Sequence, residues 1–170
     1  MNKSLVKKVA YYGVFAALAV IIAYIERLIP IPIPVPGIKL GLANVVIVII
    51  LYAFNPRWAI SISVLRVVLV SLLFSGVSGA MFALSGAILS FVVMHIVKRA
   101  KLFGVVGVSV TGGVTHGIAQ IGVAAIIVQT PGLMFYTPVL IIAGVLTGVL
   151  IGYTAGFALK SLKLVQKFGA

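Results

Sequence analysis

Six long apolar runs make up most of this 170-residue chain, and charged residues are rare inside them. Charged residues form 8% of the sequence and hydrophobic residues 63%, whereas about 25% of an ordinary soluble domain is charged. A soluble domain of about 150 residues still exposes roughly a third of its surface to water and could not hide so much apolar area. The sequence therefore predicts an integral membrane protein and excludes a soluble domain, a disordered chain and a disulfide scaffold.

The number of helices follows from the length of each run, because a membrane-crossing helix needs about 20 mostly apolar residues. The runs lie at 9–29, 40–54, 58–74, 80–97, 103–128 and 139–159. The second is short and the fifth is long, so the fifth is expected to tilt or break near Gly112-Gly113. We expect residues 1–170 to form one all-α domain of six transmembrane helices.

The basic residues are divided unequally between the two ends of the predicted helices. Ten of the thirteen lie at helix ends on the same side of the predicted bundle as both termini. Two lie at the helix ends on the opposite side, and Arg66 lies inside the third run. Basic residues collect on the cytoplasmic side of membrane proteins, so both termini are predicted to be cytoplasmic. This asymmetry also explains the net charge of +12 without a nucleic-acid partner.

The sequence is poor in groups that do chemistry. Glu26 is its single acidic residue, and it has no cysteine. Paired-carboxylate catalysis and acid-rich Mg²⁺ sites therefore lack their residues. Neither histidine has the acidic or thiol companions of a zinc site. We expect no enzyme activity, no catalytic residue, no metal and no cofactor.

Polar side chains within the apolar runs are the candidates for a binding site, because polar groups in a membrane usually face protein or a cavity. A rise of about 1.5 Å per residue places five of them in the outer half of the bundle. These five come from four helices: Glu26, Asn44, Ser85, His116 and Gln120. This convergence is typical of a binding pocket that opens to the outside.

Structural roles are open for each of these residues. Asn44 could cap the second helix or bond to another one, and Ser85 could bond to its own helix. His116 could be a helix-contact residue within a glycine-rich stretch.

Two charged residues also have alternative roles. Glu26 could pair with Lys39 or Arg27 at the membrane interface. Arg66 could snorkel towards the surface, or it could face the bundle and neutralise an anionic ligand or Glu26.

Two stripes of small residues predict close helix contacts. The last helix carries a glycine at every fourth position: Gly144, Gly148, Gly152 and Gly156. We expect this stripe to pack inside the bundle, although a second protein is the alternative. The first helix carries Gly13, Ala16 and Ala17, which could form a docking groove for another membrane subunit.

The connection at 29–37 alternates proline with aliphatic residues. This pattern favours an extended, stiff path. It predicts either a connector or a semi-rigid flap over an outward-facing cavity.

Several strings resemble one protein family over about 9–149. They are Glu26-Arg-Leu-Ile-Pro30, Pro36-Gly-Ile-Lys-Leu-Gly-Leu-Ala-Asn44, the helix of Arg66, Ser85-Gly-Ala-Ile-Leu-Ser90, and Gly113-x-x-His116 continuing to Gln120. The resemblance is to the Gx transporter family, also labelled heptaprenyl diphosphate synthase component I. That family resembles the substrate-binding S components of energy-coupling-factor transporters. The sequence departs from the family pattern at Gly117, where an asparagine is expected, so no ligand role is carried over to that position.

The resemblance implies a bacterial plasma-membrane protein that captures a small molecule from outside. It implies a ligand pocket at the outer helix ends and the first external loop, which adds Lys39 and Arg66 to the candidates. It also implies docking through Gly13 and Ala17 on a transmembrane coupling subunit driven by two ATPases. The chain has no GxxxxGK[ST] loop with which to hydrolyse ATP itself.

Two other functions stay open. The family's second label implies a membrane subunit of a prenyl diphosphate synthase, which would be non-catalytic because this chain has no aspartate to hold Mg²⁺. A membrane scaffold without a small ligand is the third possibility.

Overall fold

The computed structural model describes residues 3–29, 39 and 41–168, and nearly all of these are helical. The helices, in chain order, are α1 (Lys3–Leu28), α2 (Asn44–Ala53), α3 (Pro56–Phe74), α4 (Gly76–Ala100), α5 (Val105–Ile127), a short 3₁₀ helix (Pro131–Tyr136) and α6 (Thr137–Phe168). The described residues contain no strand, so the predicted all-α class is confirmed. Residues 30–37, for which a connector or flap is predicted, lie outside the described residues.

Five of the six α-helices are long and apolar enough to cross a membrane, and α2 is the exception. With ten residues, α2 is about 15 Å long, half the thickness of a hydrocarbon core of about 30 Å. Seven of its ten residues are buried by the helices packed around it, so its apolar surface faces protein and not lipid. The short second helix is therefore the centre of the bundle, in contact with α1, α3 and α6.

The fifth helix is unbroken from Val105 to Ile127, so the break predicted near Gly112-Gly113 is wrong. These glycines serve helix contacts instead. Gly112 faces the side chain of Met94 on α4, and Gly113 faces the backbone of Gly144 on α6. The absence of side chains at these positions allows α5 to pack closely between its two neighbours.

A lysine fixes one end of the central helix. Nζ of Lys98, on α4, donates a hydrogen bond of 2.5 Å to the carbonyl oxygen of Leu51 and lies 4.8 Å from the centre of the Tyr52 ring. Carbonyl groups in the last turn of a helix have no partner within that helix, and this lysine supplies one. The C-terminal end of α2 is thus bound to α4, and its N-terminal end, at Asn44, reaches the polar site at the opposite end of the bundle.

Candidate functional site

A small polar cavity lies between α1, α3, α4, α5 and the residues that precede α2. Its volume is about 20 Å³, which is enough for one water molecule. Five of the seven residues predicted to bind a ligand line it: Glu26, Lys39, Arg66, His116 and Gln120. Its apolar wall is formed by Ala23, Val67, Val70 and Ala83. The fold therefore brings together polar side chains that are up to 94 positions apart in the sequence.

Glu26 is buried, with 3% of its surface exposed, and it is held by the backbone before α2. Its Oε1 accepts a hydrogen bond of 2.5 Å from the N–H of Gly41, and its Oε2 accepts one of 3.5 Å from the N–H of Ala43. Glu26 is therefore bound by backbone N–H groups, and not by the side chains of Lys39 or Arg27 that the sequence offered as ion-pair partners. The guanidinium of Arg27 donates instead to Ser75, at 2.9 Å.

Gly41 is a residue that the sequence reasoning missed, and the site requires it to be glycine. Its φ angle is +81°, a conformation that other residues rarely adopt. A Cβ atom at this position would also lie 2.9 Å from Nδ2 of Asn44 and 3.2 Å from Cδ2 of His116. The turn therefore brings a backbone N–H group against Glu26 with no side chain in the way.

Gln120 is fully buried and is oriented by the main chain of Lys39. Its Oε1 accepts a hydrogen bond of 3.2 Å from the N–H of Lys39. A backbone N–H can only donate a hydrogen bond, so the amide atom of Gln120 that faces Lys39 is the oxygen. The nitrogen atom, Nε2, is therefore on the opposite side of the amide. Nε2 has no hydrogen-bond partner among the described residues.

Arg66 and His116 complete the polar lining. Arg66 is ten residues into α3, about 15 Å from the start of the helix, and only 5% of its surface is exposed. It faces the cavity instead of snorkelling to the surface. Nε of Arg66 has no partner among the described residues, whereas the ring of His116 lies against the backbone of Gly86 on α4.

Lys39 differs from the other lining residues because it lies outside the spanning helices and is partly exposed. Burial lowers the pKa of its ammonium group below the usual value of 10.5. The carboxylate of Glu26 opposes this change in pKa, and the positive charges of Arg27 and Arg66 add to it.

Two of the seven predicted residues, Asn44 and Ser85, are outside the cavity lining. The hydroxyl of Ser85 lies 2.7 Å from the carbonyl oxygen of Phe82 and 3.2 Å from that of Ala119. It therefore links α4 to α5. Asn44 is buried at the first turn of α2, beside Gly41. The bond of Ser85 to its own helix was the structural alternative for that residue, whereas α2 has no side-chain cap, so the capping role considered for Asn44 is not supported.

Ser71 lines the cavity and was also missed from the sequence. It lies one and a half turns after Arg66 on α3, and the lining residues between them are Val67 and Val70. The spacing 66, 67, 70, 71 marks one face of a helix, so this signal was available once the direction of Arg66 was known.

The glycine stripe of α6 packs against α5. A Cβ atom would lie 2.8 Å from the carbonyl oxygen of Gly113 if placed at Gly144, 2.6 Å from Cα of Val110 if placed at Gly148, and 2.6 Å from Cα of Val106 if placed at Gly152. Gly156 is an exception to the predicted stripe, since a Cβ there meets nothing within 4 Å. The antiparallel register places Gly156 opposite residues that precede the start of α5.

The small residues of α1 are on its outer surface. Gly13 and Ala17 are exposed, and nothing lies within 4 Å of a Cβ atom placed at Gly13. Ala16 is half-buried and packs against the core around α2. At Gly117, a Cβ atom would meet Leu140 of α6 at 3.2 Å, so this position faces a helix and not the cavity lining.

Comparison with known proteins gives one match. The model of the family described as heptaprenyl diphosphate synthase component I matches residues 15–158, which include α2 to α5, most of α1 and the whole cavity lining. Neither the search of curated proteins nor the search of solved structures gave a significant match. The chain is thus a multi-pass membrane protein that belongs to the heptaprenyl diphosphate synthase component I family.

Proposed function

We propose that this chain is a non-enzymatic solute-binding subunit that captures a small molecule at the outer face of the bacterial plasma membrane, in the manner of an S component. The observation that carries the proposal is the cavity in which α1, α3 and α5 meet. Burying polar side chains in a membrane protein is costly, and such residues usually serve a pathway or a ligand. Here two buried polar atoms, on Arg66 and Gln120, have no partner among the described residues.

A scaffold without a ligand would leave these atoms to the single water for which the cavity has room. Unpartnered buried polar atoms each cost about 1–3 kcal/mol, and packing alone would favour apolar replacements. The cavity therefore supports a function in which these atoms find partners on a bound molecule.

Binding can be tested by thermal unfolding of the purified chain in detergent with fractionated growth medium and small-solute pools. We expect a protecting pool to lose its effect on the His116→Ala and Gln120→Ala variants. His95→Ala is the matched control, because His95 stacks on Phe91 at the Lys98 end of α4, away from the cavity. Protection that survives both cavity changes would place the binding site elsewhere.

Transport requires a partner, and we propose a transmembrane coupling subunit with two ATPases that docks on α1. Gly13 and Ala17 are exposed there and leave room for another helix. A tagged chain purified from its host in mild detergent should recover these partners, and Gly13→Leu should reduce the recovery. Gly122→Leu is the control, since Gly122 is another helical glycine with nothing within 4 Å of its Cβ position.

The description of the family favours a second candidate, a non-catalytic membrane subunit of a prenyl diphosphate synthase. The sequence contains no aspartate, so a separate catalytic chain would have to supply the Mg²⁺ ligands. The same purification distinguishes the two candidates. Recovery of a soluble, aspartate-rich synthase chain in place of the coupling subunit and ATPases would favour the second.

A further inference from the structure

The side-chain oxygens of Glu26 and Gln120 in the cavity each accept a hydrogen bond from the protein backbone. Both oxygens of Glu26 accept backbone N–H groups, from Gly41 and Ala43. The side-chain oxygen of Gln120 accepts the N–H of Lys39. A bound molecule that came mainly with donor groups would therefore have to share these oxygens with the backbone.

The donors of the cavity are in the opposite state. Nε of Arg66 and Nε2 of Gln120 are both buried and have no partner among the described residues. A guanidinium has donors but no acceptor, and the amide nitrogen of a glutamine is likewise a donor. The nitrogen atoms of the lining are therefore available to a group that can accept hydrogen bonds.

The charges of the lining favour the same kind of group. Arg66 and Lys39 contribute two positive charges, and Glu26 contributes one negative charge that is engaged with the backbone. The three side chains together carry a net charge of +1, and an arginine is well suited to bind a planar or tetrahedral oxyanion.

We propose that the ligand carries a small oxyanion, a carboxylate or a phosphate, which binds to Arg66 and Gln120. Glu26 is then a positioning residue that holds the Gly41 turn and does not touch the ligand. This inference rests on the proposed function for its biological meaning, since it names the chemical class of the captured solute. The cavity of about 20 Å³ has room for only one water. An oxyanion that binds there therefore displaces this water and also requires the lining side chains to move apart.

The test follows the Nε–H groups of the four arginines by NMR, in ¹⁵N-arginine-labelled protein held in nanodiscs of zwitterionic lipid. The Arg66 signal is the one that disappears in Arg66→Lys. Titration with sodium formate and with sodium phosphate, at an ionic strength kept constant with sodium chloride, should shift this signal saturably. A nanodisc that contains phosphatidylglycerol, without added formate or phosphate, tests whether a lipid headgroup is the source of the oxyanion.

Variants separate binding from folding. Gln120→Leu should weaken the apparent affinity for the probe about tenfold or more, because a hydrogen bond to a charged group is lost. Glu26→Gln should not weaken it, since the change removes the negative charge of the lining while one side-chain oxygen still accepts a backbone N–H. Arg57→Lys, at the start of the same helix and exposed, should leave the Arg66 shift unchanged.

Two outcomes would overturn the inference. The first is an Arg66 signal that does not respond to formate, phosphate or anionic lipid. The second is a protecting solute whose binding is unchanged when its acid group is converted into an amide. That result would reject the oxyanion site but leave the proposed capture function intact. Conversely, a saturable Arg66 shift in a chain that recovers no coupling subunit would keep the oxyanion site and reject the transport role.

Discussion

The contact between α5 and α6 allows a quantitative prediction for Gly148→Ala. The added Cβ atom would lie 2.6 Å from Cα of Val110, about 0.8 Å short of the 3.4 Å at which ordinary contact begins. The obstacle is backbone, which cannot rotate away, so the two helices must move apart along their whole interface. Inserting one methyl group into a well-packed interior costs about 1–3 kcal/mol. The higher helix propensity of alanine returns about 1 kcal/mol, so we expect a net loss of up to about 2 kcal/mol in the free energy of unfolding.

Gly156→Ala is the matched control, on the same helix and in the same four-residue repeat. Nothing lies within 4 Å of its Cβ position, so the change should be neutral or stabilise the protein by up to about 1 kcal/mol. Both variants can be measured by reversible unfolding in mixed micelles with increasing SDS. Equal stability of the two variants would refute the reasoning, because it would mean that the α5–α6 distance does not limit the size of residue 148.

Three further predictions concern stability. Lys98→Met should lower the free energy of unfolding by about 1–3 kcal/mol, because it removes a charged hydrogen bond to the end of α2. The exposed Arg99→Met should change it by less than about 0.5 kcal/mol. Equal effects of the two changes in SDS unfolding would contradict the role of Lys98 in holding α2. Glu26→Ala should lower the free energy of unfolding by about 1–3 kcal/mol in the same assay, because it leaves the N–H of Gly41 buried without an acceptor. Glu26→Gln should lower it clearly less. The reverse order would show that the charge of Glu26 matters more than its hydrogen bond. Burial lowers the pKa of Lys39 in the folded protein, so the unfolded chain binds more protons than the folded one between that lowered pKa and 10.5. The free energy of unfolding should therefore rise with pH in this window. The difference in this free energy between the wild type and Lys39→Met, measured from pH 8 to 10.5, would contradict the assignment if it stayed flat or fell.

The membrane class and the helix count could be predicted because they depend on local properties of the chain. An apolar run of about 20 residues has few stable alternatives to a spanning helix, since every backbone polar group in lipid must be paired internally. The role of α2 could not be predicted in the same way. Its ten residues look like a short membrane span, and only the packing of α3 and α6 around it makes it the core of the bundle.

The candidate site was predictable as a region more than as a set of contacts. Polarity and depth placed Glu26, His116 and Gln120 together, and the structure brings all three to one cavity. The same argument included Asn44 and Ser85, which lie outside the lining, because depth along a helix does not determine the direction of a side chain. It missed Gly41, whose contribution is a backbone N–H that leaves no signal in side-chain polarity.

The sequence by itself determined that this chain is an all-α membrane protein, because composition and the length of apolar runs control that property directly. The tertiary structure decided which polar atoms are satisfied. Glu26 has backbone partners, whereas Arg66 and Gln120 keep buried donors without partners among the described residues. Hydrogen bonding depends on distances between atoms of different helices, and those distances exist only after the helices have packed.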